Sequence, residues 1–238
     1  MKTKAIIFDK DGTLIDFDAF WLTITDKSLD IILKSLNRTD IPKSEFLTAL
    51  GVIDGVTGIT GILCHGTYAQ MFEKIHDILT ANNCDVSYEE LSKIASDAYE
   101  KSSDCGIVKG TCDNIREFLI SLKEKGIVLS VVTTDNPFIT DKCLNTLNIK
   151  DLFDVIYTDD GKTPTKPDPY CAMDLCKKFN LDKDEIVMVG DTFTDVHFAK
   201  NAGIRMICVA KSETNRKILS AEAETIVHDI SCITEHLD

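Results

Sequence analysis

Four short polar clusters in this 238-residue sequence each follow an apolar segment, and they carry residue types suited to a cation-assisted reaction. They are Asp9-Lys10-Asp11-Gly12-Thr13, then Thr133-Thr134-Asp135, then Lys166-Pro167, then Gly190-Asp191 with Asp195. Carboxylates that are gathered in one place repel each other and favour protonation, and a divalent cation removes that conflict. Mg²⁺ prefers hard oxygen ligands and usually keeps waters and substrate phosphate in its octahedral shell. The clusters therefore predict a Mg²⁺ site that also receives a phosphate.

The individual residue types suggest roles within such a site. Asp9 and Asp191 are the best candidates for carboxylate ligands of the cation. Asp9 is also placed as a nucleophile, and Asp11, two residues on, as a general acid and base. Lys166 and Thr133 would give a phosphate a positive charge and a hydroxyl donor. This set fits phosphoryl transfer, in which positioning and charge neutralisation account for most of the catalysis.

The elements that must position these clusters are strands and helices in alternation from Thr111 onward. Strands are predicted at 127–132, 155–157, 186–189, 204–209 and 225–227, with helices near 112–125, 137, 170–179 and 195–201, a short helix after 209 and a last helix at the end. Such alternation of apolar strands with helices indicates an α/β fold with a parallel sheet covered on both faces. The apolar run 4–9 is expected to join that sheet. Because ligands bind beyond the carboxyl ends of parallel strands, the four clusters should meet at one edge.

Between the first strand and the alternating part, the patterning is helical. Apolar residues recur at helical spacing over 22–36, and Thr67 with Gln70 and Ser87 with Glu90 predict capping boxes of two further helices. The segment 51–66 is rich in glycine and lacks periodicity, which predicts a loop. We therefore predict a core domain formed by 1–16 and 108–238, and an all-helical domain, 17–107, inserted after the first strand.

The net charge, the apolar runs and the cysteine content limit the kinds of molecule that the protein can bind and the compartment in which it works. The 39 acidic residues against 26 basic ones give a formal charge of −13, which disfavours nucleic acids and anionic membranes. The apolar run Ala5–Phe8 is too short for a signal peptide or a membrane span. Nine cysteines without a C-x-x-C pair indicate reduced thiols in a cytoplasmic protein. The negative charge does not exclude an anionic substrate, since several of these acids form the predicted cation site.

In order and spacing, the clusters resemble the motifs of the haloacid dehalogenase-like superfamily, specifically its magnesium-dependent phosphatases. The motifs stand as Asp9-x-Asp11-Gly12-Thr13, Thr133, Lys166-Pro167 and Gly190-Asp191-x-x-x-Asp195. The resemblance covers 1–16 and 108–238, and over the insertion it extends only to a helical cap domain in the same place. Phosphoglycolate phosphatase-like proteins are the nearest resemblance, which implies a Rossmann-like three-layer core.

The resemblance implies a catalytic and metal-binding role for four aspartates. Asp9 would attack phosphorus and form an aspartyl-phosphate. Asp11 would protonate the leaving alcohol and then activate the water that hydrolyses the intermediate. The Asp9 and Asp191 carboxylates and the Asp11 backbone carbonyl would hold Mg²⁺, and Asp195 would support that site directly or through water.

The resemblance also implies which residues bind the phosphoryl group: Thr133, Thr134, Lys166 and Gly12. Thr134 would act through its backbone, and Gly12 would permit close approach because it lacks a Cβ atom. Many relatives with a helical cap have Asn-Lys where this chain has Thr134-Asp135. Asp135 places a negative charge near an anion site, and capping the following helix is the role left open for it.

The sequence thus predicts a cytoplasmic, Mg²⁺-dependent phosphomonoesterase for a small phosphorylated metabolite of the phosphoglycolate or sugar-phosphate type, monomeric or homodimeric, with no nucleic acid or membrane partner. Two alternatives stay open, a β-phosphoglucomutase-like phosphomutase and a non-catalytic phosphate-binding regulatory protein. Dehalogenases of the superfamily lack the second aspartate, so Asp11 argues against dehalogenation. His65 and Tyr68 in the insertion either pack within it or touch the substrate.

Overall fold

The computed structural model describes residues 2–237, which form two compact units. The core unit is built from the segments up to Asp16 and from Val108 onward, and the helical unit is Phe17–Ile107. No helix among the described residues is long and apolar enough to cross a membrane.

The core unit is organised around a parallel sheet. The strands of the chain are β1 (Ala5–Phe8), β2 (Val52–Ile53), β3 (Val56–Thr57), β4 (Val128–Val132), β5 (Val155–Tyr157), β6 (Ile186–Gly190), β7 (Arg205–Val209) and β8 (Ile226–Val227). Within the described residues the core sheet has the order β5-β4-β1-β6-β7-β8, and each neighbouring pair is parallel. The predicted α/β fold with a parallel sheet is confirmed.

Strand β1 lies in the middle of this sheet, and its four residues are fully buried. They are all apolar rather than alternating because helices cover both faces of a parallel sheet. Phe8 at the end of β1 pairs with Val131 of β4 on one side and Val189 of β6 on the other. The chain therefore leaves all three strands at the same edge, where the polar clusters begin.

Helices connect the strands of the core and make up most of the inserted unit. They are α1 (Thr23–Ser35), α2 (Lys43–Ala49), α3 (Ile62–His65), α4 (Tyr68–Ala81), α5 (Tyr88–Ser102), α6 (Ile115–Glu124), α7 (Pro137–Thr146), α8 (Tyr170–Phe179), α9 (Phe193–Ala202) and α10 (Glu213–Leu219). A π-helical turn, Asp18–Leu22, leads into α1, and 3₁₀ turns occur at Ser103–Cys105, Lys150–Leu152, Lys183–Glu185 and Ile230–His236. The last of these stands where the sequence predicted a last helix.

Two helix starts determine where site residues lie. Asn136 caps α7 by accepting a hydrogen bond from the Ile139 N–H at 2.9 Å, and Pro137 occupies the first helical position. Helix α9 begins at Phe193, two residues before its predicted start, because Thr192 and Asp195 form a capping box there.

The helical unit is held together by the apolar faces of its helices. The buried residues of α1 include Ile24, Leu29 and Ile32, which are among the apolar residues that recur at helical spacing over 22–36. The capping box of Thr67 and Gln70 at the start of α4 is confirmed. Helix α5 also begins where predicted, but of the predicted Ser87–Glu90 capping box only one half is found, the Ser87 hydroxyl accepting from the Glu90 N–H.

The prediction of a loop over 51–66 was wrong. The segment contains the antiparallel hairpin β2–β3 and the short helix α3. Asp54 and Gly55 join the two strands with positive φ angles of 51° and 77°, as a tight two-residue hairpin turn requires. Strands of two residues are too short to show an alternating pattern, and the signal that could have located the hairpin is the Asp54-Gly55 pair between Val52-Ile53 and Val56-Thr57.

Candidate active site

Three carboxylates meet at the carboxyl edge of the core sheet. Asp9 follows β1, Asp191 follows β6, and Asp195 lies in the first turn of α9. One oxygen from each lies within 4.8 Å of the others. The structure therefore brings together three of the predicted site residues, because β1 and β6 are neighbours in the sheet.

Lys166 is the counter-charge of this carboxylate cluster. Its Nζ donates to Asp195 Oδ1 at 2.6 Å and also to Asp9 Oδ1, and its side chain is only 3% exposed. Burial lowers the pKa of Lys166, but the charges of Asp195 and Asp9 outweigh that effect and raise the pKa above its usual value. Lys166 is therefore a fixed positive charge beside the predicted nucleophile.

One lysine does not neutralise the cluster. Burial raises the pKa of Asp9 to about 7, which Lys166 opposes and the charge of Asp195 reinforces. Burial and the charges of Asp9 and Asp195 raise the pKa of Asp191 well above its usual value. Three carboxylates against one ammonium leave an excess of negative charge among oxygen donors, and a hard divalent cation such as Mg²⁺ fits that donor set.

Asp195 differs from the other two carboxylates in that both of its oxygens already accept hydrogen bonds. Oδ1 accepts from Lys166, and Oδ2 accepts from the Asp191 N–H, the Thr192 N–H and the Thr192 hydroxyl at 2.8–3.2 Å. Its side chain is fully buried. Asp195 thus orients both Lys166 and the backbone that carries Asp191.

Gly12 lies against the Asp191 carboxylate. Its φ angle is 82°, and a Cβ atom built on it would overlap the Asp191 carboxyl group. The hydroxyl of Thr13, which the sequence analysis did not assign, donates to Asp191 Oδ1 at 3.1 Å. The predicted role of Gly12 in phosphate binding stays a prediction, and the structure adds that Gly12 leaves room for Asp191.

We expect Gly12→Ala to weaken Mg²⁺ binding by about 10-fold or more, as displacement of partners around a metal site typically does. The left-handed backbone should also destabilise the fold by about 1–2 kcal/mol. Gly126→Ala is the matched control, because Gly126 has a φ of 77° but nothing within 4 Å of its Cβ position. Denaturant unfolding and Mg²⁺ titration of both variants separate the effects, and equal Mg²⁺ affinities would contradict the role of Gly12.

Asp11 does not join the three-carboxylate cluster and pairs instead with a second buried lysine. Lys10 Nζ lies 2.6 Å from Asp11 Oδ1 and 2.9 Å from Asp135 Oδ2, and the Lys10 side chain is fully buried. The capping role left open for Asp135 is wrong, because Asn136 caps α7. Lys10 has no role among those expected from the sequence. Its only signal was a lysine at the end of a buried strand, which is a costly place for an unpaired charge.

The two threonines after β4 differ in exposure. Thr133 is buried, and its hydroxyl accepts a hydrogen bond from the Asp135 N–H at 3.1 Å. Thr134 is exposed. Both follow the strand next to β1 and so lie at the edge where Asp9 emerges, and their roles in binding phosphate stay predictions.

His65 and Tyr68 lie in the helical unit and make contacts inside it. His65 Nε2 is 2.9 Å from the Thr60 carbonyl oxygen, and the Tyr68 ring stacks edge-on against Tyr99 with 5.3 Å between centroids. Both residues are nevertheless exposed, so packing within the unit and contact with a substrate both stay open for them.

Comparison with known proteins identifies the family of the chain. The family model for haloacid dehalogenase-like hydrolases matches residues 3–203. The chain is 25% identical over 227 residues to a phosphoglycolate phosphatase of Nitrosospira multiformis, covering 94% of this chain and 91% of that protein. It is 28% identical over 221 residues to the pyrophosphatase PpaX of Bacillus velezensis, covering 92% and 89%.

The fold of this chain also matches the folds of solved structures over nearly their whole length. A HAD-superfamily hydrolase of subfamily IA from Geobacter sulfurreducens superposes with a TM-score of 0.70 at 20% identity, covering 99% of this chain and 97% of that one. The family model spans most of the chain, including all four polar clusters at the edge of the sheet. The chain therefore belongs to the haloacid dehalogenase-like hydrolase family, whose relatives here are named as phosphatases.

Proposed function

We propose that this protein is a Mg²⁺-dependent phosphomonoesterase that hydrolyses a small phosphorylated metabolite through an aspartyl-phosphate. The observation that carries the proposal is the placement of Asp9, which lies beside the positive charge of Lys166 and within reach of the same cation as Asp191. A carboxylate in that position can attack a phosphoryl group whose negative charge is neutralised on both sides.

The reaction has two steps that share one acid–base group. In the first, an Asp9 oxygen bonds to phosphorus, the bond from phosphorus to the leaving oxygen breaks, and that oxygen takes a proton from the Asp11 carboxyl group. In the second, the Asp11 carboxylate takes a proton from water, the water oxygen bonds to phosphorus, and the phosphorus–Asp9 bond breaks. The net change is one phosphate ester and one water to one alcohol and one phosphate.

The Asp9 and Asp191 carboxylates and the Asp11 backbone carbonyl would hold Mg²⁺. The ion, when bound, supplies charge neutralisation for the transferring phosphoryl oxygens. Because both oxygens of Asp195 are already engaged, its part in this proposal is to orient Lys166 and the backbone of Asp191. Thr133, the Thr134 backbone and Lys166 would contact the phosphoryl group, beside Gly12.

The choice of a small substrate is supported by the names of relatives, among them a phosphoglycolate phosphatase and an N-acetylmuramic acid 6-phosphate phosphatase. We propose that the helical unit acts as the cap domain that selects the substrate. A cytoplasmic location is part of the proposal, since all nine cysteines are free thiols, as a reducing compartment would keep them. The phosphomutase alternative is less favoured, because similar mutases usually carry Glu-Asp where this chain has Gly190-Asp191.

The proposal is tested by measuring phosphate release from p-nitrophenyl phosphate and from a panel of small phosphate esters, with Mg²⁺ and with EDTA. Release that requires Mg²⁺ is the expected result. Isomerisation of a sugar phosphate without phosphate release would establish the mutase instead. Absence of turnover on every ester, with phosphate still bound, would establish a binding protein.

We expect the stabilisation of the fold by Mg²⁺ to grow between pH 5 and pH 8. The pKa of Asp9 is about 7 in the folded protein against an ordinary value of 3.8, and the pKa of Asp191 is raised too. The metal-free folded state therefore holds protons that the unfolded state has lost, so its stability falls as pH rises through this window. Mg²⁺ replaces those protons and removes the penalty.

The increase in Tm on adding Mg²⁺, measured by thermal unfolding at pH 5 and at pH 8, tests this expectation. The increase in Tm should be larger at pH 8 and should nearly vanish in Asp191→Asn, which lacks one ligand. An equal increase at both pH values would show that the binding site does not contain these two carboxylates.

A further inference from the structure

The edge of the core sheet contains two buried lysines that each lie between two carboxylates. Lys166 lies between Asp9 and Asp195, in the cluster that holds the predicted nucleophile. Lys10 lies between Asp11 and Asp135. The nucleophile and the acid–base group of the proposed reaction are thus held by separate ammonium groups.

We propose that Lys10 and Asp135 form a positioning pair that fixes the Asp11 carboxyl group for proton transfer to the leaving group and from the attacking water. This inference rests on the proposed phosphatase function. Lys10 contacts Asp11, and Asp135 contacts Lys10, so both residues act on the reaction through Asp11.

The first support is the rigidity of Lys10. Its side chain is fully buried, and its carbonyl oxygen accepts hydrogen bonds from the Leu14 and Ile15 N–H groups at 2.9 Å. The Asp11 side chain, by contrast, is 17% exposed. A partly exposed carboxylate samples several rotamers unless a fixed partner holds it, and the Lys10 ammonium at 2.6 Å is such a partner.

The second support is the anchoring of Asp135. Its N–H donates to the Thr133 hydroxyl at 3.1 Å, and its carbonyl accepts from the Asp159 N–H at 2.8 Å. Its carboxylate therefore reaches Lys10 from a backbone that is fixed on both sides. Lys10 Nζ thus lies between the two carboxylates, 2.6 Å from Asp11 Oδ1 and 2.9 Å from Asp135 Oδ2.

The third support is energetic. A well-packed apolar side chain at a fully buried position would avoid the desolvation of an ammonium group and often stabilises a fold as much as a buried ion pair does. Lys10 and its second partner, Asp135 after β4, are therefore not required for the stability of the core. The lysine does give one oxygen of Asp11 a charged hydrogen-bond donor, which orients the carboxyl group.

The test uses Lys10→Met with p-nitrophenyl phosphate, whose phenolate leaves without needing a proton. Phosphorylation of Asp9 should then proceed nearly as in the wild type, whereas hydrolysis needs Asp11 correctly placed. We expect steady-state turnover to fall by about 100-fold, the lower range for a general acid–base group. Acid quenching should show the trapped phosphoenzyme rising from its wild-type level towards one per active site.

An alkyl phosphate provides the complementary measurement, because its leaving oxygen does need a proton. Lys10→Met should lose more kcat on the alkyl ester than on the aryl ester, and phosphoenzyme should not accumulate from it. Lys123→Met is the control, since Lys123 pairs with Asp154 in the core unit at 2.6–2.7 Å but away from this cluster. It should leave both substrates unaffected.

The double variant Lys10→Met/Asp135→Asn separates positioning from folding. It removes the carboxylate that the single variant leaves without its cation, so it should recover part of the Tm lost in Lys10→Met while turnover stays low and phosphoenzyme still accumulates. It also serves if Lys10→Met alone does not fold. Restored turnover in the double variant would overturn the proposal, because Asp11 would then work without Lys10.

The outcomes also distinguish this inference from the proposed function. A wild-type protein without Mg²⁺-dependent phosphate release would overturn both. An active wild type whose Lys10→Met variant keeps full turnover, or loses the formation and the hydrolysis of the phosphoenzyme equally, would overturn only the positioning role.

Discussion

Replacing Asp9 with asparagine is expected to reduce Mg²⁺-dependent phosphate release by at least about 1,000-fold, as removal of a covalent nucleophile typically does. The amide keeps the shape of the carboxyl group but cannot form the aspartyl-phosphate. Steady-state release from p-nitrophenyl phosphate measures the loss, and acid quenching should trap no phosphoenzyme. This is the most direct test of the mechanism.

Loss of folding would not explain such a result. Burial raises the pKa of Asp9 to about 7, so the ionised carboxylate destabilises the metal-free protein at higher pH. Asp9→Asn should therefore have an equal or higher free energy of unfolding than the wild type at pH 8 without metal ion. Asp151→Asn is the matched control, an exposed carboxylate paired with Arg116. Asp9→Asn with more than about a tenth of wild-type activity would exclude Asp9 as nucleophile.

Lys166→Met is expected to affect both stability and activity. Its removal leaves Asp9 and Asp195 buried without their shared cation, which should cost about 3–5 kcal/mol of unfolding free energy in the metal-free protein. Turnover should fall by about 100- to 1,000-fold, the usual effect of removing one group that stabilises developing charge. Added Mg²⁺ should restore part of the stability but not the turnover.

The helical unit offers a matched control for this variant. Lys43 also lies between two carboxylates, 2.7 Å from Asp26 Oδ1 and 3.0 Å from Asp30 Oδ1, but its side chain is 31% exposed. Water screens such a pair, so Lys43→Met should change the unfolding free energy by less than about 1 kcal/mol. Denaturant unfolding of both variants measures the difference. Similar losses would mean that burial does not determine the importance of Lys166.

Lys10 pairs with Asp135, the residue at which this chain differs from many relatives. Asp135 stands where they usually have lysine, and Lys10 supplies the positive charge from the other side of the same ion pair. The negative charge that Asp135 brings to the edge of the sheet is thus matched by a buried ammonium. Lys10 in the first polar cluster and Asp135 in the second therefore form one charge-balanced pair.

The parts of the site that could be predicted from sequence are those determined by local rules. Asp9 and Asp191 were recognisable because each follows a short apolar strand, and parallel strands deliver their carboxyl ends to one edge. The capping of α7 by Asn136 was predictable for a similar reason, since a cap residue and the proline after it act within one turn. Periodicity located the long helices, and failed for the hairpin, whose strands are two residues each.

The sequence by itself thus determined the fold class, the strand ends that carry the polar clusters and the family to which the chain belongs. Only the tertiary structure decided which charges share a partner. It placed Lys166 between Asp9 and Asp195 and Lys10 between Asp11 and Asp135. The reason is that an ion pair depends on distance in space, which strand order and burial set, and residues far apart in sequence carry no local pattern that would reveal it.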